Sequence, residues 1–161
     1  PEDLRTETEL RDEISAQVPE KFGRFFLRPR PIEVRPCSPR NWFRPEPVEP
    51  GQHSWFRAAA ALPDDPALHR AVLAYASDMM LLGTSMLPHG VSWMTSKLQT
   101  ASLDHALWLH EPVRADEWLL YTTDSPWTGH ARGFNRGRIY TRDGRLVASV
   151  AQEGLMRLRT E

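Results

Sequence analysis

Between residues 66 and 82 the chain reads PALHRAVLAYASDMMLL, and from Ala71 to Leu82 every side chain is uncharged except Asp78. Asp65 is a good N-cap and Pro66 suits the first helical position, so this run predicts one long helix over 66–82. A helix that is apolar on nearly all sides is normally enclosed by the rest of its domain. Two strands are expected before it. Residues 30–35 fit an edge strand with Ile32 and Val34 on one face. Residues 52–62, QHSWFRAAAAL, fit a second, whose alanine run suggests close packing against something bulky. Beyond an exit loop at 83–90, strands are expected over 98–111, 117–123, 130–141 and 146–158. Asp143-Gly144 is a strong hairpin signal between the last two. Antiparallel strands with a lone helix on one face make an α+β layer.

The ends of the pattern are less regular. Residues 1–18 are acidic and place Leu4, Leu10, Ile14 and Val18 loosely at helical spacing, which fits a short peripheral helix or a linker. Eight of the fourteen prolines lie between residues 19 and 50, so that stretch holds no central strand or helix interior. The expected division is a linker or peripheral helix over 1–24 and one domain over 25–161. A length of 161 residues is enough for a sizeable core.

Composition narrows the partners. A formal net charge of −1 leaves no large basic field for nucleic acid. The tract FFLRPRPIEVRPCSPRNWF mixes arginine with aromatics, but Glu33, Glu46 and Glu49 interrupt or follow it. Cys37 is the only cysteine, which excludes an internal disulfide and fits a reducing compartment. No apolar run is long enough to span a bilayer. The last residues, Arg159-Thr160-Glu161, spell no peroxisomal address, so the cytoplasm is the expected compartment. The six histidines show no metal-ligand spacing, and no metal is expected.

Three places can carry chemistry. Asp78 stands alone in its apolar helix, with Ala71, Ala74, Tyr75 and Leu82 as helical neighbours. If buried, it must be hydrogen-bonded, paired or shifted in pKa, demands that often accompany catalysis. The alternative is a structural pin bonded to Tyr75 or to a nearby backbone N–H. The strand TASLDHALWLH offers Ser102, Asp104 and His105, but strand alternation puts Ser102 and His105 on opposite faces. That argues against a Ser-His-Asp triad, and Ser102 and Asp104, about 6.6 Å apart along the strand, are too far for a direct hydrogen bond. Asp104 and His105 therefore read as partners that fix strand or loop geometry. Gln152, in VASVAQEGLMR, shares its face with Val150 and Ala148, where a core residue is expected. It is either bonded to a neighbouring strand or, beside a carboxylate and a hydroxyl, part of a group that fixes a water molecule.

The segments YASDMMLLGTSMLPHG, TASLDHALWLHEP, EWLLY and ARGFNRGRIYTRDGRLVASVAQEG resemble the acyl-CoA thioesterase II family of double hot-dog enzymes, over about residues 25–157. The resemblance implies a hot-dog fold, with the antiparallel sheet wrapped around the central helix at 66–82. It implies hydrolysis of fatty acyl-CoA to free acid and coenzyme A, with catalytic groups at Asp78, Ser102 and Gln152 and no cofactor. Members of that family carry two hot-dog units in one chain, and this sequence corresponds to the linker and the second unit. A second unit, or a second copy of this chain, is therefore an expected partner. Competing readings are a non-catalytic acyl-CoA-binding or assembly module that needs the first unit for activity, and another acyl-thioester chemistry such as dehydration.

Overall fold

A computed structural model describes residues 1–18, 20, 23 and 28–159. The predicted boundary between linker and domain, at 24–25, lies outside the described residues. The acidic start forms helix α1 (Glu7–Ile14), closed by a capping box between Thr6 and Glu9. The chain before it is tied down. The Arg35 guanidinium holds the carbonyls of Pro1, Glu2 and Leu4, and Arg142 pairs with the Glu2 carboxylate.

Strands β1 (Ile32–Pro36) and β2 (Gly51–Ala58) pair antiparallel, with Ile32, Val34 and Phe56 buried. Helix α2 (Pro66–Asp78) follows, its N-terminus capped by Asp65, which accepts the Ala67 N–H at 2.8 Å. After helix α3 (Leu81–Met86) come β3 (Leu98–Ser102), β4 (Ala106–Leu109), β5 (Leu119–Gly129), β6 (Arg132–Thr141) and β7 (Leu146–Leu158). All pairings are antiparallel, in the order β1-β2-β5-β6-β7-β3, with β4 also on β7. The core lies between sheet and helices: Leu73 and Leu81 meet Phe56, Leu119, Tyr121, Ile139, Val147 and Val150. Gly154 of β7 lets Leu82 sit directly on the strand, because a Cβ there would collide with its Cδ1. Among the described residues no helix is long and apolar enough to cross a membrane.

Besides shifted strand ends, such as β5 running on to Gly129 beyond the strand expected over 117–123, the elements depart from the sequence pattern in three places. The helix expected over 66–82 ends at Asp78, and α3 begins only at Leu81. In an unbroken helix the Ser77 carbonyl would accept the Leu81 N–H. Instead it accepts the buried Tyr121 hydroxyl of β5 at 2.7 Å, and Met79 N–H turns back to Ala76. The strand expected over 98–111 is two strands, interrupted at 103–105. Only the first residue of the alanine run is packed: β2 ends at the buried Ala58, and Ala59, Ala60 and Ala61 are exposed. Ala59 N–H turns to the Pro31 carbonyl (2.8 Å), where the chain leaves the sheet.

Candidate active site

Asp78 is the last residue of α2, and the helix break aims it at β7 and the β3–β4 junction. Its carboxylate is not buried: the side chain is 52% exposed. The expectation of an enclosed helix fails on this side, since Ala71 and Tyr75 of α2 are also uncovered by the described residues. The opposite side of α2, with Leu73, Ala76 and Ser77, is buried as the pattern required.

The junction between β3 and β4 brings up the next groups. Ser102 pairs with Gly154 and Ala106 with Ala151, so four steps on one strand face three on β7. One extra residue therefore sits at 103–105, a bulge that breaks strict alternation. The Asp104 carboxylate fills the gap it leaves, accepting the Glu153 N–H at 2.7 Å, while Leu103 N–H bonds to the Glu153 carbonyl at 2.9 Å. Asp104 thus fixes loop geometry, as the sequence suggested. The bulge also overturns the assignment of Ser102 and His105 to opposite faces. Both reach the same carboxylate.

Around Asp78 Oδ1 the contacts converge. Ser102 Oγ donates to it at 3.4 Å, and the Gln152 amide Nε2 donates through a short hydrogen bond. His105 Nδ1 lies 3.7 Å from the same oxygen and 3.2 Å from Gln152 Nε2. Asp78 Oδ2 accepts from none of the described residues. Gln152 is fully buried, and its Oε1 has no partner among them. Beneath the site, burial and the nearby Asp78 charge push the Tyr121 phenol above its ordinary value. It is therefore a firm donor to the Ser77 carbonyl. Asp78, Ser102 and Gln152, far apart in sequence, form one cluster. His105, read from the strand pattern as structural, belongs to it as well. The one hint of this in the sequence is Asp104, whose short carboxylate can replace a ladder carbonyl and so permit the bulge.

The sequence profile described as acyl-CoA thioesterase matches residues 23–155. The chain belongs to the acyl-CoA thioesterase family. It is 38% identical to human acyl-coenzyme A thioesterase 8 over 154 residues, covering 94% of this chain and 48% of that protein. Among solved structures, acyl-CoA thioesterase II TesB2 from Mycobacterium marinum matches with a TM-score of 0.68 at 42% identity. That match covers 91% of this chain and 54% of that one. A hot-dog-fold protein from Alicyclobacillus acidocaldarius, 17% identical, shares the fold (TM-score 0.60, 90% and 53% covered). The α+β hot-dog architecture expected from the sequence is thus the one found. The chain spans about half the length of these relatives.

Proposed function

We propose that the chain hydrolyses fatty acyl-CoA thioesters, with Asp78 as general base and Ser102 and Gln152 as the groups that hold the base and its water. The observation that carries this reading is the convergence of both donors on one oxygen of Asp78, while the other accepts from none of the described residues. Oδ1 is anchored, so Oδ2 is left to take a proton from a bound water. Ser102 Oγ keeps its lone pairs free to accept from that water. The hydroxide that develops adds to the thioester carbonyl carbon. The C–S bond then breaks, and the departing thiolate takes up the proton held by Asp78. The products are a free acid and coenzyme A; the bond changes balance without metal or redox cofactor. Negative charge on the carbonyl oxygen calls for a nearby donor such as a backbone N–H.

A second reading has its own support. The exposure of Asp78 and the half-length of the chain fit a module that binds acyl-CoA and turns over only beside a second hot-dog unit. That unit is either the other half of a longer chain or a second copy, and the open strand edge at β3–β4 offers it a place. A reducing compartment such as the cytoplasm suits the lone thiol of Cys37. The deciding experiment measures thiol release from acyl-CoA of several chain lengths, with binding followed by calorimetry. Hydrolysis is expected, and Asp78→Asn should lower kcat by at least about a hundredfold with unchanged circular dichroism. Wild-type rates in that variant would remove Asp78 from the mechanism. Binding without turnover, restored by adding a second unit, would establish the module instead.

A further inference from the structure

The hydrogen bonds around Gln152 fix the protonation of a residue the proposed reaction does not use. A carboxylate only accepts, so the amide atom facing Asp78 is nitrogen. The same nitrogen approaches His105 Nδ1 at 3.2 Å, which makes Nδ1 the acceptor of the second amide hydrogen. The imidazole proton then sits on Nε2, 2.9 Å from Ser77 Oγ. Ser77 accepts it, because its own hydroxyl donates to the Ala74 carbonyl of α2 at 2.8 Å. Each donor in this chain has one acceptor, and the direction runs one way, from Gln152 through His105 and Ser77 to the helix backbone.

The Gln152 amide has no other hydrogen-bond partner among the described residues. Its Oε1 is buried and unpartnered among the described residues, so nothing on the oxygen side resists rotation of the amide. A flip by half a turn would set Oε1 against the Asp78 carboxylate. The geometry points to His105 as the positioning residue that holds the Gln152 amide nitrogen toward Asp78, and so keeps Oδ1 occupied and Oδ2 open for water. The role rests on the reading of Asp78, Ser102 and Gln152 as the water-activating site. It also gives the bulge a purpose: without the extra residue at 103–105, the imidazole would face away from α2.

Two measurements test it. The ¹⁵N shifts of the His105 ring in the 161-residue chain report the tautomer without requiring turnover. They are expected to show the proton on Nε2 and a lone pair on Nδ1; a proton on Nδ1 overturns the proposal. In kinetics, His105→Leu should lower kcat by roughly ten- to a hundredfold with KM changed by less than about twofold. His105→Asn, whose Oδ1 occupies the position of Nδ1, should recover most of that loss. In a Gln152→Ala background, His105→Leu should cost nothing further, because the amide it holds is gone. Full multiplication of the two losses would mean an independent structural effect and overturn the role. Wild-type kcat in His105→Leu, with Asp78→Asn and Gln152→Ala strongly impaired, overturns the role alone. Wild-type kcat in Asp78→Asn and Gln152→Ala overturns the water-activating site and the role together.

Discussion

The Tyr121 hydroxyl donates to Ser77 and not to Asp78, yet the tyrosine decides where the carboxylate stands. Its hydroxyl takes the Ser77 carbonyl out of the helix ladder, so α2 stops one residue later and Asp78 becomes a terminal group facing the sheet. Tyr121→Phe keeps the ring against Phe56 but leaves that carbonyl buried without a donor. The expected cost is about 1–2 kcal/mol, seen as a fall of roughly 2–8 °C in Tm, together with a loss of kcat as the helix end relaxes. A pH signature accompanies it. The phenol is held neutral in the fold, above its ordinary value of 10, while the unfolded chain ionises there. Its contribution is complete below about pH 10 and is lost as pH rises from there toward the folded value. Urea unfolding between about pH 9 and 11 should show stability falling in the wild type and a flatter profile in Tyr121→Phe. The serine-to-tyrosine contact was invisible in the sequence because it joins residues 44 positions apart.

The elements divide by whether local or distant groups define them. Caps, hairpin and edge strand were legible: Asp65-Pro66 starts α2, Asp143-Gly144 turns β6 into β7, and Ile32 and Val34 face the core as their spacing required. Gln152 was legible as an amide in a core position, because Val150 and Ala148 mark its face. The bulge was not. Alternation continues unbroken through SLDHALWL on paper, and only the pairing with β7 reveals the extra residue. Asp104 holds that irregularity by standing in for a ladder acceptor at Glu153 N–H. Asp104→Ala removes the stand-in from an exposed position, so the expected loss is about 1 kcal/mol, or roughly 2–4 °C in Tm. The kinetic effect should be larger than the stability effect, because Ser102 and His105 flank the bulge and both approach Asp78. A variant with lowered Tm and unchanged kcat would show that the bulge serves the sheet alone.

At the scale of the molecule, the uncovered side of α2 and the open edge at β3–β4 flank the same site. Asp78 and Tyr75 lie on one, Leu103, Trp108 and Leu109 on the other, and each of these side chains is more than a third exposed. The apolar run of α2 predicted enclosure, and the described residues supply it on one side only. Apolar surface beside an unpaired strand edge is costly to leave in water and favours pairing with another sheet. The half-length of the chain relative to its relatives supplies a candidate occupant, a second hot-dog unit. Sedimentation velocity at micromolar concentration should therefore show a dimer of the chain, or a heterodimer when a first unit is added. Trp108→Asp combined with Leu103→Asp should weaken that association by at least about tenfold and leave the circular dichroism unchanged. If covering Asp78 also completes the site, kcat should fall with the dimer and recover at higher protein concentration. A double variant that stays monomeric and keeps full turnover would show that one hot-dog unit suffices for the chemistry, and that the exposed carboxylate works in open solvent.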